Sequence, residues 1–360
     1  MSEINSSTVR LAIIGTGTMA GWHARHFKDT PGCEITACVD TNADRLKAFC
    51  EKYEVPAGYT SVSELLEKEP IDAVAVVTPD GSHKPISLEC IAAGKHVLCE
   101  KPLALNYGDA KEMADAAEAA GVVNMVHFTY RNWAPLQAIA QHVKSGDLGD
   151  IRHVEASYHQ AWLVNKQWGD WRTTETSLWR LSSAHGSKGV LGDVGVHILD
   201  FATFPCGPIK DLYCKLKTFD KAPDNRIGDY VLDANDTAVM TVEFESGAVG
   251  SIQTTRFMTG HTNRLFLKIA GTKGSVSFDS VESETDYKIC VGDDIETDTW
   301  QSRSTESVPN LNERFVENVR TGTRGGPNFA HGAAIQKLLD AGFESEARQA
   351  PITINNFEGS

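Results

Sequence analysis

A glycine-containing turn near the N-terminus constrains the fold of this chain more than any other feature of the sequence. It follows the β-rich apolar run at residues 9–14 and precedes a helix-compatible stretch at residues 19–28. A strand, a glycine turn and a helix in this order are typical of dinucleotide-binding α/β domains. Gly15 permits the tight turn, Gly17 lets the backbone approach a pyrophosphate, and Ala20 lets the helix pack closely on its strand. Glycine turns between a strand and a helix also occur for packing alone, so the pattern needs support from its context.

The helix after this turn offers a place for phosphate groups at its N-terminus. Free N–H groups and the helix dipole favour negative charge there. Thr18 and Met19 stand at that end of the predicted helix. We therefore include both among the candidate cofactor-binding residues.

A carboxylate stands where this type of fold presents one to a ribose. The second apolar run, at residues 34–39, ends at Asp40, about twenty residues beyond the glycine turn. In a Rossmann domain an acid at this distance binds the adenosine ribose hydroxyls and repels a 2′-phosphate, which favours NAD over NADP. Arg45, a nearby cation, leaves NADP open. The alternative role for Asp40 is to cap the helix predicted over about residues 43–53.

Apolar strands continue to alternate with helical segments as far as residue 127. The strands are predicted at residues 73–77, 96–99 and 122–127, and the helices at about 85–93 and 107–120. This alternation predicts a doubly wound parallel sheet that is covered on both faces. Thr78 and Pro79 follow one of these strands, at the sheet edge where such folds bind ligands. His83 either caps the next segment or contacts the cofactor.

The length of 360 residues favours two domains, which we place at residues 1–129 and 130–360, with a flexible arm at 1–8.

The formal net charge is -14 and the sequence contains no basic cluster, so no nucleic-acid or membrane partner is expected. The eight cysteines lack paired C-x-x-C spacing, so no structural metal is expected. The polar first residues do not resemble a signal peptide, and we expect a reducing, cytoplasmic location.

Two further segments carry candidate catalytic groups. Asp193 and His197 are four residues apart, a spacing that stacks their side chains on one face of a helix. Glu100, Lys101 and Pro102 follow the apolar run at residues 96–99. Each group also has an ordinary structural explanation: Asp193 as a helix cap, His197 as a core histidine, and Lys101 as the partner of Glu100 in an ion pair.

These segments together resemble the glucose-fructose oxidoreductase, inositol dehydrogenase and rhizopine-catabolism (Gfo/Idh/MocA) family. The resemblance spans nearly the whole chain. It rests on six features: the glycine turn; Asp40; residues 93–97 together with the Glu100-Lys101-Pro102 segment that follows them; Tyr130 with Arg131; Asp193 with His197; and the turn at residues 271–275.

The resemblance implies an N-terminal Rossmann domain and a C-terminal α/β domain with a large, mostly antiparallel, open-faced sheet. It also implies an NAD-dependent enzyme that oxidises a secondary hydroxyl of a monosaccharide, sugar derivative or inositol, and that assembles as a homodimer or homotetramer. In such an enzyme Lys101, Asp193 and His197 meet at the reacting group. His197 is then the acid/base, Asp193 orients it or relays its proton, and Lys101 stabilises the developing alkoxide. Glu100 joins the cofactor-binding set.

The remaining candidates lie at the predicted domain junction and early in the second domain. Arg131 either contacts the cofactor or substrate or forms an interdomain salt bridge. Tyr130, Trp162, Arg172 and His261 are candidate substrate contacts, with core packing as the alternative for each tryptophan. Two rival functions stay open: a dihydrodiol dehydrogenase-like or carbonyl-reducing enzyme that uses NAD(P), and a non-catalytic nucleotide or sugar sensor on the same fold.

Overall fold

The computed structural model describes residues 8–359, so the predicted arm lies outside the described residues except for Thr8. The chain divides into two compact units. Unit 1 comprises the residues up to Thr129 and Pro309–Gln336, and unit 2 comprises Tyr130–Val308 and Lys337–Gly359. No helix within residues 8–359 is long and apolar enough to span a bilayer.

Unit 1 contains a six-stranded parallel sheet, as the alternation of strands and helices predicts. Its strands are β1 (Val9–Ile14), β2 (Cys33–Val39), β3 (Ala57–Tyr59), β4 (Ala73–Val76), β5 (His96–Cys99) and β6 (Asn124–Val126), in the spatial order β3-β2-β1-β4-β5-β6. The central strands are buried along almost their whole length, because helices cover both faces of a parallel sheet. The order reverses between β1 and β4, which places a ligand-binding crevice at their carboxyl ends.

The helices of this half are α1 (Thr18–Asp29), α2 (Ala43–Tyr53), α3 (Val62–Lys68), α4 (His83–Ala92) and α5 (Tyr107–Ala120). Asparagine side chains cap two of them: Asn42 accepts a hydrogen bond from the Arg45 N–H, and Asn106 accepts one from the Asp109 N–H. The alternative role of Asp40 as the cap of α2 is therefore wrong. Short elements such as β3 and α3 escaped the sequence analysis, because they carry too few residues for a periodic pattern.

Unit 2 contains a nine-stranded mixed sheet, in the order β16-β15-β14-β13-β7-β12-β11-β8-β17. Its strands are β7 (Ile151–Gln160), β8 (Ile209–Lys217), β11 (Thr237–Phe244), β12 (Val249–Thr255), β13 (Asn263–Gly271), β14 (Gly274–Asp279), β15 (Asp286–Val291), β16 (Gln301–Ser304) and β17 (Ile352–Thr353); β9 (Arg226–Ile227) and β10 (Tyr230–Val231) form a separate small hairpin. Only β7 and β12 pair in parallel among these described strands. Buried and exposed residues alternate along β11, so one face of the sheet is covered and the other is open.

The helices of the second half are α6 (Ala134–Ser145), α7 (Glu175–Leu178), α8 (Val196–Cys206), α9 (Leu311–Thr321) and α10 (Phe329–Arg348). A π-helical segment, Leu191–Gly195, precedes α8. Asp193 lies in this wider turn and His197 in the first turn of α8, so the two do not share one regular α-helix as the spacing predicted.

Helix α9 belongs to unit 1, whereas the sequence interpretation assigned the whole of 130–360 to the second domain. Asn310 and Glu313 form a capping box at its start. Its buried residues Leu311, Phe315, Val316 and Val319 join a core cluster that includes Phe27 and Val9. Such an amphipathic helix packs wherever its apolar stripe finds a matching core, which local sequence does not specify.

Candidate functional site

The glycine turn of unit 1 is held between two strands of the sheet. The Gly15 N–H donates to the Val39 carbonyl at 2.8 Å, and Gly15 has a φ of +93°. A Cβ at this position would stand 2.7 Å from the Val77 carbonyl oxygen, whereas a Cβ on Gly17 would meet nothing within 4 Å. No acidic residue stands in the first turn of α1, where Thr18 and Met19 are exposed. The described geometry therefore leaves the N-terminus of α1 suited to an anion.

Asp40 ties this turn to the end of β2. Its carboxylate accepts hydrogen bonds from the Thr16 N–H (2.9 Å) and hydroxyl (2.7 Å), and from the Arg45 guanidinium (2.9 and 2.6 Å). Burial alone would raise the pKa of Asp40, but the hydrogen bonds from Arg45 and Thr16 outweigh it and hold that pKa well below its usual value. Asp40 thus stays ionised and shapes the turn, while Arg45 remains half exposed beside it.

His83 links two loops at the edge of the parallel sheet. Its Nε2 lies 2.9 Å from the Thr78 carbonyl and its Nδ1 lies 2.9 Å from the Pro102 carbonyl. Because both partners only accept, both ring nitrogens must donate, which requires the imidazolium form. Burial opposes this charge, yet Cys99, Asp80 and the Pro102 carbonyl raise the pKa of His83 to about 10. The side chain is buried and fixes the loops that contain Thr78, Pro79 and Lys101.

Glu100 is buried in a polar cluster that the sequence analysis missed. Its carboxylate accepts the Lys101 N–H at 3.1 Å and contacts His23 Nε2 at 2.8 Å and His127 Nδ1 at 3.2 Å. The Asn312 amide nitrogen lies 3.0 Å from His23 Nδ1. Because Asn312 donates to Nδ1, a neutral His23 carries its proton on Nε2 and donates it to Glu100. These residues come from separate parts of the chain, so no local sequence motif predicts their contact.

The charges in this cluster follow from its burial. Burial lowers the pKa of His23 to about 4, so this imidazole is neutral at physiological pH. Burial also raises the pKa of Glu100, but hydrogen bonds from His127 and His23 outweigh it and lower that pKa well below its usual value. Ligand-type atoms of His23, Glu100 and His127 lie within 4.8 Å of one another, the one such group among residues 8–359. Within this group the Nε2–H of His23 donates to Glu100, and the lone pair on His23 Nδ1 accepts from Asn312.

His197 of unit 2 is buried against two tyrosine rings. Its ring centre lies 5.0 Å from that of Tyr130 and 6.2 Å from that of Tyr158, both in edge-on geometry. The Tyr158 hydroxyl donates to the Asn263 side-chain oxygen at 2.7 Å, so the Tyr130 hydroxyl donates to Tyr158 at 2.6 Å. Burial and the neighbouring Tyr130 raise the pKa of Tyr158 well above its usual value. The structure thus brings the predicted residues Tyr130 and His197 together with Asn263 and with Tyr158, which the sequence pattern did not single out.

Asp193 contacts two arginines of unit 2. Arg256 Nη2 donates to Asp193 Oδ2 at 3.0 Å, and Arg180 Nε lies 3.7 Å from the same oxygen. Arg256 follows β12 without a surrounding motif, so the sequence alone does not mark it as a functional residue. Asp193 therefore stands beside fixed positive charge.

The other candidates of unit 2 take varied positions. Arg131 is buried and pairs with Asp200 of the same unit, with its guanidinium 4.3 Å from the centre of the Phe204 ring. Trp162 is buried and donates through its indole nitrogen to the Gln160 side chain at 3.2 Å. Arg172 is exposed and covers the Trp171 ring, and His261 lies 6.3 Å from His159 between ring centres. Trp162 and Trp171 share a core cluster with four leucines.

The buried His23 predicts a specific loss of stability in acid. Its pKa is about 4 in the folded chain and about 6.5 in the unfolded chain, so its contribution is complete above pH 6.5 and is lost as pH falls towards 4. At pH 5 this amounts to about 2 kcal/mol. In His23→Gln the amide nitrogen replaces Nε2 as donor but does not titrate. We expect urea unfolding to show a smaller drop in unfolding free energy between pH 7.5 and 5 in this variant than in the wild type.

The matched control is His185→Gln, which removes an exposed imidazole of unit 2. Its drop between the two pH values should equal that of the wild type. Equal drops for His23→Gln and His185→Gln would contradict the assignment of His23 as a buried neutral imidazole.

Comparison with known proteins agrees with this architecture. The family profile described as "Oxidoreductase family, NAD-binding Rossmann fold" matches residues 9–128, and the profile "GFO/IDH/MocA C-terminal domain" matches residues 136–277. The NAD-binding description confirms the cofactor predicted from the glycine turn.

The similar proteins include a levoglucosan dehydrogenase from Pseudarthrobacter phenanthrenivorans, 25% identical over 96% of this chain and 98% of that protein. A myo-inositol 2-dehydrogenase from Thermotoga maritima is 26% identical over 77% of each chain. Among solved structures, a levoglucosan dehydrogenase in complex with NADH and levoglucosan superposes with a TM-score of 0.84 at 24% identity, over 97% of this chain and 100% of that one. The chain is an oxidoreductase that belongs to the Gfo/Idh/MocA family.

Proposed function

We propose that this oxidoreductase is an NAD-dependent dehydrogenase that oxidises a secondary hydroxyl of a monosaccharide, a sugar derivative or an inositol. The observation that carries the proposal is His197, a buried imidazole held between Tyr130 and Tyr158 a short distance along the chain from Asp193. The names of its relatives support the substrate class, since they include levoglucosan and myo-inositol dehydrogenases. The particular sugar or polyol is left to experiment.

The cofactor fits residues of unit 1. Bound NAD supplies the acceptor for a hydride. The open space at Gly17 and the N-terminus of α1 suit its pyrophosphate, and Asp40 suits the adenosine ribose. Thr78 and Pro79 follow strand β4 and Glu100 follows strand β5, in the half of the sheet that takes the second nucleotide. Here His83 and Arg131 act through the loops and helices that they fix, rather than by direct contact.

The group that accepts the substrate's hydroxyl proton belongs, in this proposal, to unit 2. We give His197 the role of the base that removes the hydroxyl proton, since an imidazole exchanges protons near neutral pH. Lys101 has the role of stabilising negative charge on the reacting oxygen, which its ammonium group suits. Tyr130 supplies aromatic surface of the kind that packs on sugar rings, whereas the burial of Trp162 in a core cluster favours its alternative role in packing. Arg172 and His261 are weaker candidates for substrate contacts, because Arg172 lies against Trp171 and His261 beside His159.

We also propose a homodimer or homotetramer that uses the open face of the nine-stranded sheet. Val239 on β11 and Val249 on β12 are 40% and 52% exposed. An apolar sheet face of this kind is a favourable surface for a second copy.

The two glycines of the turn should respond differently to alanine. Gly17→Ala adds a methyl group where the protein has room, so its melting temperature should match that of the wild type. The same methyl group would occupy the space that a pyrophosphate needs, and NADH affinity, followed by quenching of tryptophan fluorescence, should fall about tenfold or more. Gly15→Ala strains the turn and should lower stability by about 1–3 kcal/mol. Unchanged NADH affinity in Gly17→Ala would remove the turn from the cofactor site.

His197→Ala tests the proposed chemistry. We expect turnover to fall by about 10²- to 10⁴-fold, because the reaction loses its base, while NADH affinity stays close to that of the wild type. The measurement is the appearance of NADH with a panel of inositols, aldoses, ketosugars and anhydrosugars. Near-normal turnover in the variant would exclude the base role of His197. Tight NADH binding by the wild type without turnover of any panel member would instead favour a sensor.

A further inference from the structure

Arg256 is the largest side chain that the structure buries completely among the described residues. Its guanidinium donates from Nη2 to Asp193 Oδ2 at 3.0 Å and from Nη1 to the Arg180 carbonyl at 3.0 Å. It also lies 5.1 Å from the centre of the Trp162 ring. A fully buried cation costs folding free energy unless it is paired and hydrogen-bonded, so this arrangement is demanding to maintain.

Asp193 accepts the hydrogen bond from Arg256 at a position where the orientation of its carboxylate matters. The carboxylate lies in the π-helical turn before α8, and a third of its side chain is exposed. Arg256 approaches from the buried side, and the half-buried Arg180 lies 3.7 Å from the same oxygen. Two guanidinium groups favour the ionised form of a carboxylate, and the directional bond from Arg256 restricts its rotation.

The chemistry of Asp193 is then different from that of His197. A carboxylate held by two cations is a weak base but a good hydrogen-bond acceptor. His197 lies instead against the rings of Tyr130 and Tyr158. The two side chains therefore suit different groups of one substrate.

We propose that Arg256 is a positioning residue that orients Asp193 to accept a hydrogen bond from a substrate hydroxyl. This inference rests on the proposed dehydrogenase function. The reacting hydroxyl loses its proton to His197 and its carbon loses a hydride to NAD, so the substrate gives up two electrons and two protons, one of the protons leaving with both electrons as the hydride. Asp193 neither gains nor loses a proton in this step. A substrate that presents a second hydroxyl beside the reacting one satisfies both residues, which specifies an uncharged vicinal polyol.

The test compares Arg256→Lys with Arg264→Lys. Arg264 also pairs with an aspartate of unit 2, Asp279, through guanidinium bonds of 3.0 and 2.9 Å, but contributes no contact to Asp193 or His197 in the described structure. Each variant keeps one positive charge and loses the planar guanidinium geometry. We expect Arg256→Lys to lower kcat by about 10²-fold with unchanged NADH affinity, because a misdirected carboxylate misplaces the substrate. Arg264→Lys should retain the kcat of the wild type.

The pH profile supplies a readout that a purely structural role would not move. The charged or titratable groups that face Asp193 include Arg256, Arg180 and Tyr158. In Arg256→Gln the carboxylate loses its buried cation and binds a proton at higher pH. Protonation of Asp193 then adds to that of His197 on the acid side, so the acid limb of kcat/KM should become steeper and move upward. If this variant does not fold, the smaller upward shift of Arg256→Lys serves the same purpose.

The outcomes separate the two proposals. A wild type that turns over a vicinal polyol, with Arg256→Lys unchanged in kcat and pH profile, would overturn the role of Arg256 alone. Equal losses in Arg256→Lys and Arg264→Lys without a shifted acid limb would assign both arginines to stability and also overturn it. Absence of turnover by the wild type with every polyol would overturn the dehydrogenase function and this inference with it.

Discussion

All strands of the parallel sheet in unit 1 have their carboxyl ends at the same edge. The loops that follow them have no neighbouring strand to pair with, so other contacts must fix their positions. Buried side chains meet this constraint. Asp40 binds the turn at Thr16, His83 joins the loop at Thr78 to that at Pro102, and Glu100 accepts hydrogen bonds at the start of the Lys101 loop. Each of these polar groups is costly to bury unless it is paired, so the network is stable only when every partner is in place. The shape of the carboxyl edge of the parallel sheet therefore depends on this network of hydrogen bonds.

The same physical rule operates in unit 2 with different groups. The buried Arg256 pairs with the partly exposed Asp193 beside Trp162, while Tyr130, Tyr158 and Asn263 form a chain of hydrogen bonds beside His197. A charged acceptor and a titratable imidazole thus stand in distinct surroundings. Such a difference lets two groups near one another perform separate tasks, one accepting a hydrogen bond and the other exchanging a proton.

The sequence predicts the parts of this structure in which strands and helices alternate regularly along the chain. The alternation of apolar strands and helices as far as residue 127 specifies the Rossmann sheet, and α2, β5 and α5 have the predicted bounds. Gly15 and Asp40 were predictable because a strand, a turn and a helix fix their spacing. Local pattern does not reveal partners that meet only after folding, such as Asn312 with His23 or Arg256 with Asp193. The place of α9 in unit 1 escapes prediction for the same reason, since its apolar stripe would suit either core.

The central claim is that a hydride leaves a secondary carbinol carbon for the nicotinamide ring. Its most direct test uses a polyol substrate deuterated at that carbon, with NAD, followed by mass spectrometry of the reduced cofactor. We expect each reduced nicotinamide to carry one deuterium and the rate to show a primary isotope effect whenever hydride transfer limits it. Reduced cofactor without deuterium, formed from a substrate fully labelled at the reacting carbon, would contradict direct hydride transfer.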